Sequence, residues 1–273
     1  TKDMARILSI LVGLFFTVAL AWSFGVGFYT WATEPPAPTA EHEFHIKPEE
    51  FHFASDGPFG KFDRQQLQRG FQVYKEVCSV CHALRHVAFR DLAALGYNEA
   101  EVKAIAKGFQ VPVYNPATGE VATREGAATD YFPPVVYGGQ GSPPDLSLIA
   151  KAREEGPQYV RSLLNGYRDQ PAELLKQFPD SKTPDGLHYN PYFANLNLAM
   201  PPPLTADGQV TYSDGTKATK EQMATDVAAF LIWTAEPKLE KRKQTGWAVL
   251  GFLLFATVLG YMSYRNIWAG KKH

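Results

Sequence analysis

The stretch Cys78-Ser79-Val80-Cys81-His82 decides how the rest of the chain is interpreted. Two thiols lie one helical turn apart, and a histidine follows the second thiol directly, which is the spacing of a covalent c-type haem attachment site. Each thiol adds across one vinyl group of the porphyrin, and the adjacent histidine is then held beneath the iron as its proximal ligand. The motif therefore predicts one covalent haem c, with Cys78 and Cys81 as thioether links and His82 as an iron ligand.

Two other kinds of site also use a Cys-x-x-Cys pair. A structural zinc site needs a second pair of ligands, but the chain has only two cysteines and no close pair of histidines follows at finger spacing. A thioredoxin-like redox pair would lie in a βαβ context, which the sequence pattern does not show. Haem is therefore the favoured interpretation, and no cysteine remains for a disulfide bond.

The composition is that of a globular protein with long connections. The 273 residues carry a net charge of -1 and include 20 prolines and 22 glycines. No basic stretch is interleaved with aromatic residues, so nothing in the sequence indicates nucleic-acid binding. Proline and glycine at this frequency predict ordered loops between helices. We expect a mainly α fold, a cytochrome c-like haem domain with long loops.

Both ends of the chain are apolar. Residues 7–32 and 244–264 carry no charge, and each run is long enough to cross a bilayer as a helix. The chain is therefore predicted to divide into an N-terminal transmembrane helix at residues 1–33, a water-exposed haem domain at 34–243, and a C-terminal anchor with its tail at 244–273. The first run could instead be a signal peptide, but aromatic residues crowd its exit, as in the interfacial belt of a retained helix.

The distribution of charged residues indicates the orientation. Lys2 and Arg6 precede the first apolar run, which places the N-terminus in the cytoplasm and the haem domain outside the bacterial inner membrane, in the periplasm. Arg265 and the lysines after it agree with this placement, whereas four cations at residues 238–243 oppose it. Because the chain begins with Thr1, we also expect it to derive from a longer precursor.

Helices are predicted where apolar residues recur at helical spacing. The first begins at the N-cap Asp63 and delivers the cysteines to the haem edge. A helical region follows at residues 85–108, and Asp145 is expected to cap the next helix. Further helices are predicted at residues 159–167 and 220–235, and Pro237 ends the last of them. Residues 34–60 are expected to lie extended on the domain surface, and residues 108–141 and 170–215 to form loops, with a short hairpin around residues 115–119.

A second axial ligand would close the other face of the iron. Of the four methionines, Met200 alone lies in an irregular loop of the predicted haem domain, and the three prolines after it stiffen that loop. Histidine plus methionine ligation raises the reduction potential and suits electron transfer. A buried gap-filling methionine is the alternative role, and His188 is the alternative ligand. His86 is expected to lie on the same helix as His82 and therefore on the wrong face.

Several stretches in this order resemble the cytochrome c1 family, the haem subunits of quinol–cytochrome c reductase (cytochrome bc1) complexes. The resemblance covers about residues 41–270 and lies in five stretches: RGFQVYKEVC and the motif that follows it at residues 69–82, PPDLS at 143–147, the helix at 159–167, NPYF at 190–193 and MPPPL at 200–204. It implies Cys78 and Cys81 as thioether links and His82 and Met200 as axial ligands.

The resemblance also implies two further haem contacts and a set of partners. Arg153 would face a haem propionate, and Tyr159 would lie near the haem, although a solvated helix charge and a core tyrosine are the plain alternatives. The run at residues 137–141 departs from the Ala/Asn-rich run that is often found in the family. The chain also lacks the extra cysteine pair that some bacterial relatives carry. An N-terminal helix that is retained would fit a precursor fused to cytochrome b.

The expected function is electron transfer without catalysis by this chain alone. The haem would take one electron from a Rieske iron–sulfur protein and pass it to cytochrome c, next to cytochrome b in a dimeric complex embedded in membrane lipid. One alternative is a membrane-anchored c-type cytochrome subunit of another respiratory dehydrogenase or oxidase. A haem enzyme such as a peroxidase, with Met200 not bound, is the other.

Overall fold

The computed structural model describes residues 2–34, 37–114, 116, 119–139 and 141–271. About 52% of the chain is helical, which confirms the mainly α fold class. The α-helices are α1 (Lys2–Thr33), α2 (Ala40–Phe44), α3 (Arg64–Val73), α4 (Glu99–Lys107), α5 (Ile149–Ala152), α6 (Gly156–Asn165), α7 (Ala172–Gln177), α8 (Lys220–Ala235) and α9 (Leu239–Trp268). A π-helix follows α3 at Tyr74–Cys78, and 3-10 turns lie at Phe89–Leu95 and Pro179–Ser181.

The strands form two small antiparallel pairs. Strands β1 (Gln110–Tyr114) and β2 (Val121–Glu125) make the hairpin that the sequence predicted, with Val111 opposite Arg124. Its predicted turn includes Asn115, Ala117 and Thr118, which lie outside the described residues. Strands β3 (His188–Tyr189) and β4 (Asn197–Leu198) form a second, two-residue ladder in the loop that precedes Met200.

The chain divides into two compact units, the first ending at Glu43 and the second beginning at Phe44. Helix α1 belongs to the first unit and has no buried side chain. Helix α9 belongs to the second. Both helices are long and apolar enough to cross a membrane, in agreement with the two predicted apolar helices at the ends of the chain.

The core of the second unit is built on α8. The hydroxyl of Thr219 caps the start of this helix by accepting from the Gln222 N–H at 3.1 Å, and every side chain from Met223 to Thr234 is buried. Helices α3 and α6 both pack against α8. At the crossing with α3, Gly70 has no side chain, and a methyl group there would overlap the carbonyl oxygen of Asp226. The two helix backbones therefore touch at Gly70.

An ion pair in the core fixes the same crossing. Arg69 Nε donates to Asp226 Oδ2 at 3.0 Å, and the Asp226 side chain is fully buried. The guanidinium also donates to Asp214 Oδ2 at 2.7 Å. A buried carboxylate is stable only when it is paired and hydrogen-bonded, so this network holds α3 at one position along α8.

The segment predicted to lie extended over the domain surface is anchored to the core at a few residues. Phe53 is only 5% exposed and belongs to the main core. The buried Arg161 of α6 donates to Glu49 at 3.0 Å and lies over the ring of Phe51, 4.6 Å from its centroid. A short helix, α2, precedes this stretch. The prediction of an extended segment on the domain surface is therefore confirmed for most of residues 45–60, which are non-helical and mainly exposed, and was wrong at α2 and at the buried Phe53.

The predicted helical region at residues 85–108 is interrupted. A 3-10 turn ends at Gly96, which has a φ of 104°, and α4 starts three residues later behind the capping residue Asn98. A φ of this sign is easy only for glycine. Residues 82–88 are not helical, so the placement of His86 on one helix with His82 was wrong.

Asp145 does not cap a helix. Its carboxylate accepts from the backbone N–H groups of Arg85 and Ser147, both at 2.9 Å, whereas the N-cap of α5 is Leu148. The residue instead joins the segment that follows the Cys-x-x-Cys-His motif to the segment that precedes α5. This non-local pairing has no local sequence signal.

The junction between α8 and α9 is short and anchored. Pro237 lies in the three-residue connection, as the sequence predicted, and Leu239, the first residue of α9, is buried in the core. Glu236 accepts from Lys151 Nζ at 2.6 Å and also from Arg242. Helix α9 therefore leaves the domain from a fixed starting point.

The stability of the protein in acid is expected to depend on two carboxylates near the surface, Asp130 and Asp214. Hydrogen bonds from the Arg124 side chain and then from the Ala127 N–H lower the pKa of Asp130 to about 2. The Thr216 N–H and then Arg69 lower the pKa of Asp214 to about 2. Both pKa values lie below the usual aspartate value of about 3.9, so their contribution is present above about pH 4 and is lost as the pH falls toward 2.

We therefore expect the thermal unfolding midpoint of the full chain to fall most steeply between about pH 4 and pH 2. The double variant Asp130→Asn and Asp214→Asn should start from a lower midpoint at pH 5 and lose less of it on acidification. An unchanged pH slope in that variant would show that other groups set the acid limit.

Candidate haem-binding site

One cavity of about 530 Å³ collects all six residues that the sequence singled out. They are Cys78, Cys81, His82, Arg153, Tyr159 and Met200. These residues come from three separate parts of the chain. The volume of the cavity is within the range of pockets that hold small molecules and cofactors.

A change of helix type brings the cysteines to the cavity. Helix α3 begins behind Asp63, which caps it as predicted by accepting from the Gln65 and Gln66 N–H groups. The last turn widens into the π-helix, in which the Ser79 N–H donates to the Tyr74 carbonyl at 2.8 Å. Wide turns of this kind are often found at functional sites. Cys78 is the last residue of that turn and lies on the cavity wall.

A hydrogen bond to a backbone carbonyl orients the imidazole of His82. Its Nδ1 lies 2.8 Å from the carbonyl oxygen of Pro144, so Nδ1–H donates to this acceptor. That hydrogen bond fixes the tautomer in which Nε2 carries no proton and has a free lone pair. The Tyr74 hydroxyl also donates to the His82 carbonyl at 3.0 Å, which restrains the backbone of the same residue.

The cysteines do not have the character of a redox or zinc pair. Burial, and then the neighbouring Cys81, raises the pKa of the Cys78 thiol to about 12, whereas thiols that attack disulfides or bind metal have lowered pKa values. Within the described part of the chain, no group of three or more histidine, cysteine or acidic side chains could hold a metal ion. The raised pKa of the Cys78 thiol therefore disfavours a reactive redox pair, and the described residues offer no further ligands for a zinc site.

Met200 reaches the cavity from the loop after β4. Its backbone carbonyl accepts from the Tyr167 hydroxyl at 3.0 Å, and Pro201 and Pro203 line the cavity next to it. Among the other candidate ligands, Met223 is fully buried in the core. Neither it nor His188 is among the described residues that line the cavity. Of these candidate second ligands, Met200 is therefore the one that the described structure places on the cavity wall.

Arg153 and Tyr159 lie on the wall between α5 and α6. The Arg153 side chain is exposed, and Tyr159 is half-buried. Burial raises the pKa of Tyr159, while the nearby Arg153 opposes that rise. Tyr137 and Gly141 also line the cavity, and Gln140, in the run that departs from the family pattern, lies outside the described residues. An exposed guanidinium at this position is suited to a charge-assisted hydrogen bond with a carboxylate of a bound group that points toward water.

Most of the remaining lining is apolar. Side chains from α5, α6 and α8 cover the inner wall, including Ile149, Leu163, Leu164, Val227 and Leu231. Such a wall excludes water and favours a flat, largely hydrophobic group over a hydrated ion. The two thiols, the free Nε2 of a neutral imidazole and the methionine thioether are the donor set of a c-type haem. The residues present therefore fit this cofactor.

Three contributors to the site were missed by reasoning from sequence. The Pro144 carbonyl, the Tyr167 hydroxyl and the Tyr74 hydroxyl each hold a candidate ligand in place. Tyr74 could be placed only on the apolar face of its helix, and Tyr167 only at the end of a helix. The contact to Pro144 joins residues 62 positions apart, so no local pattern could have indicated it.

The profile of the Cytochrome C1 family matches residues 53–271. The chain belongs to the cytochrome c1 family. The match includes the Cys-x-x-Cys-His motif, the Met200 loop and α9.

Curated relatives agree with this assignment. Cytochrome c1 of Rhodospirillum rubrum is 43% identical over 234 residues, which cover 80% of this chain and 86% of the relative. A mitochondrial cytochrome c1 haem protein of Arabidopsis thaliana is 39% identical over 249 residues, with 88% and 78% covered. The cytochrome b/c1 of Bradyrhizobium diazoefficiens is 41% identical over 243 residues, which cover 78% of this chain but only 34% of that longer protein.

Proposed function

We propose that the cavity holds one haem c through Cys78 and Cys81, with His82 and Met200 as its axial ligands. The observation that supports this most is the convergence of two thiols, a histidine and a methionine in one apolar cavity. The hydrogen bond from His82 to Pro144 adds support because it leaves Nε2 available for iron. The bound haem supplies a metal that takes up and releases one electron. No acid, base or nucleophile of this chain takes part in a bond-breaking step.

The side chains around the cavity then have distinct roles. Arg153, on the wall between α5 and α6, would pair with a propionate, and Tyr159 would lie against the cofactor. The apolar inner wall would keep water away and so favour the less charged, reduced form of the site. Pro144 and Tyr167 would hold the two ligand residues in place. Saturation at both faces would exclude oxygen and peroxide from the metal.

We further propose that this haem relays electrons from a Rieske iron–sulfur protein to cytochrome c within a cytochrome bc1 complex. Residues 34–243 would form the haem domain in the periplasm, on the outer side of the bacterial inner membrane. Residues 1–33 and 244–273 would cross that membrane, beside cytochrome b and lipid, in a dimeric assembly. The family membership and the two long apolar helices support this placement.

The test is purification of the intact complex from its native membrane with an optical redox titration. We expect a pyridine haemochrome of c type on this polypeptide, a single one-electron wave, and co-purification of a b-type haem protein and a Rieske centre. Another assembly in place of those two partners would favour the dehydrogenase or oxidase alternative. Rapid carbon monoxide binding to the reduced protein would favour a haem enzyme and contradict the proposal.

Tyr167 is expected to tune how firmly Met200 is held. In Tyr167→Phe the hydrogen bond to the Met200 carbonyl is lost, at a cost of about 1 kcal/mol for a partly buried neutral pair. We expect carbon monoxide to bind the reduced protein about fivefold faster, because 1.4 kcal/mol corresponds to a factor of ten. The matched control is Tyr192→Phe, which removes a hydroxyl bond to Glu49 of 3.2 Å and should leave that rate unchanged. Equal rates in both variants would contradict a positioning role.

A further inference from the structure

The loop at residues 55–62 is fastened to the first turns of α9. Lys243 Nζ donates to the carbonyl oxygens of Ser55 at 2.6 Å and Gly60 at 3.3 Å. The Phe62 N–H donates to Glu240 Oε1 at 2.8 Å. These bonds join residues 178 to 188 positions apart and fix the position of the loop along the helix.

At the tip of this loop, Phe59 stacks on Trp247 of α9. The ring centroids are 5.2 Å apart and the planes differ by 10°. Both rings are nevertheless open, with Phe59 75% and Trp247 50% exposed. Trp247 also begins the apolar part of α9. Large amphipathic rings at the end of an apolar helix are typical of the membrane–water interface.

Cations lie about two helical turns before Trp247 on α9. Lys238 and Lys241 are exposed on the polar side of Trp247, whereas Arg242 is paired with Glu236. The positive-inside rule does not explain cations at this end of α9. Long lysine side chains can, however, lay their stems along apolar surface and reach phosphate groups with their ammonium groups.

We infer that the Phe59 loop is a second membrane contact of the haem domain. Its occupant is the phospholipid interface of the bilayer that α9 crosses. The stacked rings lie at the boundary between headgroups and acyl chains, and Lys238 and Lys241 face the phosphates. The inference rests on the proposed placement of α9 in a membrane. From water inward, a lipid leaflet presents phosphates first and acyl chains next. Along α9, the lysines come first and the Phe59–Trp247 pair follows, so the two orders match.

The experiment replaces Phe59 with the photoreactive aromatic residue p-benzoylphenylalanine in the full chain, in its native membrane. After irradiation, mass spectrometry identifies what is attached at that position. We expect phospholipid adducts at residue 59. The same substitution at Tyr131, a ring 52% exposed on the bridge to Ala88, should give no lipid adduct.

A third substitution at Leu253 separates this inference from the proposal on which it rests. Leu253 lies in the middle of α9 and is 52% exposed, so it reports whether the helix is in lipid. Lipid adducts at residue 253 but none at residue 59 would overturn the inference alone. Adducts of residue 59 to another protein would also overturn it. No lipid adduct at either position would overturn the membrane placement of α9 itself.

Discussion

Replacement of Met200 by leucine is expected to abolish the low-spin, methionine-ligated spectrum and to lower the reduction potential. Axial ligands set haem potentials over a range of roughly 0.8 V, so a fall on the order of 0.1 V or more is expected. Leucine has a similar volume and keeps the apolar wall, but it offers no lone pair to iron. Carbon monoxide should then bind the reduced protein readily. Optical spectra, a redox titration and gas binding on the intact complex measure all three effects.

The matched control is Met223→Leu. Met223 is fully buried in α8, and a swap between methionine and leucine in a core usually costs less than about 1.5 kcal/mol. This variant should keep the spectrum and the potential of the parent. An unchanged spectrum in Met200→Leu would contradict the assignment of Met200 and direct attention to His188, which could then be tested as His188→Gln.

Replacement of Gly70 by alanine is expected to destabilise the haem domain strongly. The new Cβ would overlap the Asp226 carbonyl oxygen and lie 2.7 Å from Phe230 Cβ. Neither neighbour can move without shifting α3 or α8. Overpacking of this kind costs roughly 1–3 kcal/mol or more, which corresponds to a fall in the unfolding midpoint of about 2 to 12 °C for a domain of this size.

Helix α9 offers the control for this effect. Gly246 is also a helical glycine, but a Cβ there would meet nothing within 4 Å. Gly246→Ala should leave the unfolding midpoint within about 1 °C, because exposed changes away from special features are usually small. Thermal unfolding of both variants in detergent, followed by circular dichroism, makes the comparison. Equal midpoints would show that the α3–α8 crossing can relax around a methyl group.

Much of the helical architecture could be predicted because its signals are local. The bounds predicted for α8 match the structure, since Thr219 and Pro237 mark its limits. Asp63 caps α3 as expected, and the hairpin of β1 and β2 lies where the turn signals placed it. The break at Gly96 was not predicted, because apolar spacing continues across it and hides the change of backbone direction.

The candidate site was predictable for a different reason. The motif from Cys78 to His82 indicates covalent haem attachment within only five residues. The chain has four methionines, and elimination of the other three left Met200 as the candidate second ligand. The supporting hydrogen bonds could not be predicted in the same way. Asp145 reaches Arg85, His82 reaches Pro144, and both contacts depend on the folded path of loops that carry no periodicity. The departures from expectation therefore concentrate where side chains meet backbone groups from distant segments.

The short junction at residues 236–238 has a mechanical consequence for a relay between partners. Leu239 is buried in the core, and Glu236 accepts hydrogen bonds from both Lys151 and Arg242. The haem domain therefore has no flexible linker that would let it rotate relative to α9. In the proposed electron relay, any shortening of the distance between the haem and a redox partner would then have to come from movement of the donor or the acceptor. In that relay the haem domain would stay fixed on α9, and the rate of electron transfer would depend on how often mobile redox partners reach it.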